Sequence, residues 1–206
     1  MIKMIKISSL LLVAILFHSC ASVYKKIDPK SLNYVSRNAE KNLLLEYKYD
    51  LLNKKYKNKE NKKDVRIIAV KLTNNTDKDV IFDKDFKLIY ENGNTLNVIE
   101  TDKLYSKIKQ SAPIYLLYLL LTPMQFTTTT ATNGQVQTSN AFPAGLIVGP
   151  GLALGNYIAA TSANKNFKNE LKEYDINQKT IKRGETVYGL IGVSSSNYDT
   201  IKIKIE

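Results

Sequence analysis

The sequence predicts a mainly β domain, an antiparallel sandwich interrupted by an apolar helical hairpin. Three observations carry that reading. Short runs with period-two alternation recur between turn residues in both halves of the chain, residues 111–174 break the series with long apolar segments, and no cysteine or histidine occurs after residue 20. The organisation that follows is a processing segment at 1–19, a tether at 20–41 and one domain at 42–206 with the insertion 111–174. Removing residues 1–19 from the 206-residue chain leaves 187, enough for one domain with a real core.

Lys3 and Lys6 precede Ile7 to Phe17, an eleven-residue apolar core too short to cross ~30 Å of hydrocarbon as a helix. This is the architecture of a cleaved signal. Ser19 stands directly before Cys20, the only cysteine, and Ala21 and Ser22 follow it. The stretch resembles the lipobox of bacterial, Gram-negative lipoproteins, with Phe17 where Leu is preferred and His18 in the middle. The resemblance implies cleavage before Cys20 and acylation of its sulfur, hence a palmitate-type lipid anchor; the alternative is an ordinary secretory signal with an incidental cysteine. At ~0.8 kcal/mol per buried methylene, two or three chains hold a protein on a membrane. Ala21 to Lys41 is polar, contains Pro29 and lacks periodicity, so it is expected to be a tether reaching at most ~70 Å. No acidic residue follows Cys20 where the family pattern places an inner-membrane retention signal. The resemblance therefore favours the outer membrane, with the domain facing the periplasm.

Leu43 to Leu52 alternates Leu43, Leu45, Tyr47, Tyr49 and Leu51 with mostly polar residues, as a half-buried strand does. Lys54 to Lys63 is a dense charged run and is expected to be a loop. Val65 to Thr73 puts Ile68, Val70 and Leu72 on one side and Ala69, Lys71 and Thr73 on the other, and Asn74 to Asp77 ends it as a turn. Val80 to Phe82, Phe86 to Glu91 and Thr95 to Glu100 are further short strands, the last two joined by Asn92-Gly93, a strong hairpin signal. Glu173 to Ile181, Glu185 to Val193 and Thr200 to Glu206 complete the set, with Ile201, Ile203 and Ile205 pointing one way and Lys202 and Lys204 the other. Val70, Leu72, Ile191 and Ile203 are expected in the core.

Seven or eight such strands with regular turns indicate an antiparallel sandwich of immunoglobulin-like type. The segments VRIIAVKLTNNTDKDV (65–80) and TIKRGETVYGLIGV (180–193) look like the paired strands of small bacterial immunoglobulin-like lipoprotein domains of unknown function. The resemblance covers about half the chain, rests on turn and core positions, and carries no active site.

Within the insertion, Pro113 to Thr122 opens with a proline suited to a first helical turn and is stopped by Pro123. Thr127 to Asn140 is polar and uncharged, a ribbon or flexible tip turning at Asn133-Gly134. Phe142 to Ala163 is apolar, and Gly151, Gly155, Ala159 and Ala163 recur every fourth residue, a ridge along which another helix could approach closely. The expected hairpin either packs on the sandwich or meets lipid or another subunit. For the second case the candidate contacts are Leu116, Leu117, Leu120, Leu146, Ile147, Val148, Leu152 and Leu154. Neither leg is expected to span a bilayer, one being too short and the other interrupted by Pro150.

Little chemistry is legible. His18 lies in the signal, so the mature chain has no histidine base or ligand, and an acylated Cys20 leaves no thiol. Asp77, Asp79, Asp83 and Asp85 cluster at a turn, but glycine is missing at the sixth loop position and Leu88 stands where a bidentate acid would close a calcium loop. Gly149-Pro150-Gly151 lacks the Lys-Ser/Thr of a phosphate loop, and Ser194 to Ser196 has no histidine to activate it. No catalytic residue, metal or cofactor is assigned. The net charge of +11 becomes +9 once Lys3 and Lys6 depart, and an exported chain meets anionic headgroups rather than nucleic acid. The expectation is a non-catalytic envelope lipoprotein that binds or scaffolds a protein partner or a second copy. An oligomerising or membrane-inserting lipoprotein is the second possibility, and a carboxylate-based hydrolase of envelope polymers the third.

Overall fold

The computed structural model describes residues 20–127, 129–132, 135–138 and 142–206. The expected signal at 1–19 and the Asn133-Gly134 turn lie outside them. In chain order come a 3-10 turn Pro29–Ser31, β1 Ser36–Glu40, β2 Leu43–Lys48, α1 Lys54–Lys62, β3 Val65–Asn74, β4 Val80–Ile81, β5 Phe86–Tyr90, β6 Val98–Ile99 and α2 Thr101–Ile108. A 3-10 helix Ala112–Leu121, β7 Thr129–Thr132, β8 Gln135–Thr138, α3 Gly145–Glu173, β9 Thr180–Ile181, β10 Thr186–Ser194 and β11 Ile201–Ile205 follow. Two units are distinguished: Tyr24–Lys109 with Asn164–Glu206, the β unit, and 20–23 with Gln110–Ala163, the apolar unit. The helix α3 contributes residues to each.

In the β unit, the main sheet has the order β1-β2-β3-β10-β6 with antiparallel pairing throughout. Its centre is the β3–β10 ladder, in register from Val65 opposite Ser194 to Thr73 opposite Thr186. One face of this sheet contributes Leu45, Tyr47, Ile68, Val70, Leu72, Val187, Ile191 and Val193 to a buried cluster shared with Phe86, Leu88, Ile201 and Ile203 of the β5–β11 pair. The four residues expected in the core, Val70, Leu72, Ile191 and Ile203, are all buried. Cross-links between side chain and backbone tie β11 to the main sheet: the Ile201 N–H donates to the Tyr47 hydroxyl at 3.0 Å and the Ile203 N–H to Asn38 Oδ1 at 2.8 Å. Antiparallel sheets and one long apolar helix are thus the architecture.

The other face of β3 is covered as well, and Val65, Ile67 and Ala69 are buried there. The reason is that the charged run 54–63 is a helix, not a loop. Lys and Glu are good helix formers, and Tyr56 and Glu60, four apart, fall on one side and are buried while the lysines point outward. The Glu60 carboxylate accepts the Ile67 N–H at 2.8 Å and the Lys57 ammonium at 3.0 Å, so this buried acid is paired. The helix α2 packs beside it, its Leu104 lying so close to Gly192 that a side chain there would overlap it. Residues 164–174 add Phe167, Leu171 and Tyr174, and Tyr24, Tyr56 and Phe167 meet with ring centroids 5.1 to 5.3 Å apart.

The stretch 20–41 is not a free tether. Tyr24, Ile27 and Pro29 are buried, and β1 pairs along its length with β2 through a two-residue turn in which Lys41 and Asn42 both have positive φ. The clasp is Glu170, a buried carboxylate that accepts the Tyr24 hydroxyl, the Ile27 N–H at 3.0 Å and the Asp28 N–H at 3.2 Å. Burial, with the Glu170 hydrogen bond and charge added to it, pushes the Tyr24 phenol up and keeps it a donor. Other boundaries move too. The Asn92-Gly93 turn forms, with Gly93 at φ 86, but β5 takes β11 as its long partner, and Thr95–Glu100 shortens to β6 beside β10. Glu173–Ile181 is the end of α3 and a turn, because Tyr174 and Ile176 are drawn into the core, leaving only β9 extended.

Leu72→Ala is expected to destabilise the protein by about 2–5 kcal/mol in chemical denaturation, through lost burial and the cavity left behind. Glu170→Ala leaves the Ile27 and Asp28 N–H groups without an acceptor. Limited trypsinolysis should then cut after Lys25 or Lys26 much faster than in the parent, and equal rates would show that the clasp does not hold the segment.

Candidate membrane-contact site

The apolar unit is built from a stretch with no charged residue between Lys109 and Lys165. Its two legs are the 3-10 helix and the first part of α3. Proline opens the 3-10 helix, and Tyr115 and Tyr118, one 3-10 turn apart, are buried against Ala153 and Ala160 of α3. The legs approach closely where α3 begins. A side chain at Gly145 would collide with the Leu121 and Thr122 carbonyls, and a Cβ at Gly149 would stand 2.9 Å from Thr122 Oγ1. Beyond them Phe126 and Phe142 exchange two backbone hydrogen bonds at 2.8 and 2.9 Å, and the β7–β8 ribbon follows.

The chain after Cys20 docks on these legs. The Ala21 N–H donates to Asn156 Oδ1 at 2.6 Å, while Ser22 and the Gln110 amide bond reciprocally, at 2.9 Å to the Ser22 N–H and 2.6 Å to its carbonyl. Asn156 in turn donates to the Leu152 carbonyl at 2.8 Å. Cys20 itself is exposed.

Of the candidate contacts, Leu116, Leu117, Leu120, Leu146, Ile147, Val148 and Leu154 are exposed, with Leu120 at 73% and Ile147 at 69%; Leu152 is partly buried against Tyr115 and Tyr118. The expected ridge divides. Ala163 is buried, Ala159 is half-buried, and Gly151 and Gly155 face open space with nothing within 4 Å of a would-be Cβ. The face that packs is instead Gly149, Ala153, Asn156 and Ala160. Both series have helical spacing in the sequence, and only the position of the 3-10 leg selects between them. Gln110 and Asn156 carried no sequence signal, since an amide gains its meaning from the partner that the fold brings to it. Pro150 does not interrupt α3, which runs unbroken from Gly145 to Glu173. This corrects the expectation that Pro150 interrupts the second leg, and α3 is long and apolar enough to cross a membrane by length and composition alone, while the ten-residue 3-10 leg is too short to do so.

In the β unit two of the four turn aspartates accept backbone N–H groups. Asp79 accepts the Arg183 N–H at 2.9 Å and Asp85 the Ile81 N–H at 2.7 Å. Among the described residues no three His, Cys, Asp or Glu side chains are grouped to hold a metal ion. No family model, curated protein or solved structure matches the chain.

Substitution separates the two glycine pairs. Gly149→Leu should destabilise the apolar unit, since the Thr122 side chain and backbone would have to move. Gly155→Ala should be neutral or raise stability by up to ~1 kcal/mol, as for an exposed helix interior, both read as thermal unfolding followed by circular dichroism.

Proposed function

We propose that the chain is a non-catalytic envelope lipoprotein of the Gram-negative outer membrane, held by acylated Cys20, with a periplasmic immunoglobulin-like β-sandwich that binds or scaffolds a protein partner or a second copy. The observation that carries this reading is the environment of Cys20. The residue is exposed, its next two neighbours are clamped by Asn156 and Gln110, and the unit that clamps them is free of charge and apolar on its outside. An acyl chain on that sulfur would begin beside hydrocarbon-like surface rather than at the end of a long free tether. The absence of an acidic residue after Cys20 supports the outer membrane, and the antiparallel pairing with an apolar layer shared between the main sheet and the β5–β11 pair supports the sandwich type. A second reading, membrane insertion through the 111–163 hairpin, is favoured by the exposed leucines and isoleucines of both legs.

Cys20→Ala in the full-length chain tests the anchor. The expected outcome is loss of palmitate labelling and retention of the signal. Labelling that survives the substitution, or a mature N-terminus other than Cys20, would overturn the reading.

A further inference from the structure

We propose that the apolar unit crosses the bilayer as a two-legged hairpin and delivers the β7–β8 ribbon to the side opposite the Cys20 lipid. The choice of bilayer rests on the lipoprotein reading; the crossing itself rests on the shape and chemistry of the unit.

The first observation is where the apolar side chains point. Each leg turns one face to its neighbour, Tyr115 and Tyr118 on the first and Ala153 and Ala160 on the second. The outward residues of the 3-10 leg, among them Leu117 and Leu120, and those of α3, among them Ile147, Leu154 and Ile158, are exposed. On α3, Ile147, Leu154 and Ile158 share one face with Gly151 and Gly155, opposite Gly149, Ala153 and Ala160. A water-facing helix would carry polar residues there. A unit with apolar outer faces on both legs, and no charge from 110 to 164, is suited to hydrocarbon all round rather than to one partner's patch, whose rim would be polar.

The second observation is length. From Gly145 to Asn156 the helix rises ~16 Å at 1.5 Å per residue, and the chain turns through Pro143 and Ala144, with the Leu146 N–H on the Pro143 carbonyl at 3.1 Å, into the Phe126–Phe142 bridge. The 3-10 leg rises ~20 Å at 2.0 Å per residue before the chain reaches Phe126. Between the level of Asn156, where the chain after Cys20 is clamped, and the Phe126–Phe142 bridge the body is therefore ~20 Å long, shorter than the ~30 Å of an average hydrocarbon core, so that crossing requires the bilayer to thin locally around it. Acyl chains on Cys20 would enter at one end of this body, and the exposed Phe126 and Phe142 rings mark the other.

The third observation is the ribbon. A two-stranded ribbon has open edges that hydrocarbon cannot satisfy, so it must lie in water or among headgroups. It follows the apolar body directly, and its Thr and Gln residues carry no charge that would oppose passage. Within the legs most of the backbone is paired, by the helices and by the Phe126–Phe142 bridge, with Pro150 withholding the helical donor from the Leu146 carbonyl.

The test uses full-length protein purified from envelopes and reconstituted into vesicles of phosphatidylethanolamine and phosphatidylglycerol, selecting vesicles whose β unit is open to trypsin. The chain has no tryptophan, so Ile147→Trp is a single reporter at an exposed position, and Val136→Cys places a thiol in the exposed ribbon. The expected result is a blue-shifted Ile147→Trp emission, mostly lost when lipids with brominated acyl chains are used, and a Val136→Cys thiol that reacts with a membrane-impermeant maleimide only after detergent. Emission that brominated lipids leave unchanged, blue-shifted or not, overturns the proposal and in the shifted case points to a protein surface as the occupant. Quenched emission with a thiol labelled before detergent also overturns it, since the hairpin then enters one leaflet only. The mass of the N-terminal peptide distinguishes the anchor from the crossing. Unacylated Cys20 with quenched emission and a protected thiol removes the anchor and keeps the crossing, whereas acylated Cys20 with unquenched emission does the reverse.

Discussion

The β3–β10 ladder is the constraint on which the β unit depends, because it joins segments more than a hundred residues apart and both of its faces are covered. On one side it carries the layer completed by β5 and β11; on the other it receives α1, α2 and residues 164–174. Such non-local pairing has a high loop-closure cost, and the β unit reduces it by holding the two ends of the insertion together. Lys168 reaches Asp102 at 3.1 Å, Thr101 Oγ1 donates to Asp175 at 2.6 Å, and the Tyr105 and Phe167 rings lie 6.2 Å apart. With its ends pinned in this way, a segment as long as 110–163 can leave and return without loosening the ladder.

Several buried polar groups of the β unit connect segments that are distant in the chain. Glu60 joins α1 to β3, Glu170 joins the N-terminal segment to α3, and Asn74 donates to the carbonyls of Lys78 and Ile181. Each carboxylate accepts several donors, which makes its burial tolerable. The Arg66 guanidinium donates to the Val65 and Ser196 carbonyls and lies 4.7 Å from the centre of the Tyr198 ring, while its buried Nε has no hydrogen-bond acceptor.

One helix serves two kinds of surroundings. Its last ten residues are amphipathic, with Phe167, Glu170 and Leu171 inward and Lys165, Asn169 and Lys172 outward, the pattern of a helix that shares a boundary with water. Its first twenty have no charge on any face. The change falls at Asn164–Lys165, where the division between the units also falls.

Much of the β core was legible from period-two alternation alone. Val70, Leu72, Ile191 and Ile203 are buried as the pattern requires, because alternation reports directly which side of a strand excludes water. The absence of charge from 110 to 164 and the position of Cys20 are likewise properties of the sequence by itself. What it could not determine was which alternatives would find partners. KKYKNKENKK becomes a helix because β3 offers its two inward residues, Tyr56 and Glu60, a place to be buried. Residues 24–40 cease to be a tether because Glu170, some 140 positions away, arrives beside them. Gly149 rather than Gly151 meets the neighbouring leg because the 3-10 helix lies on that side of α3. In each case the local sequence permits several states of similar energy, and the decision belongs to contacts between residues far apart in the chain, which only the tertiary structure brings together.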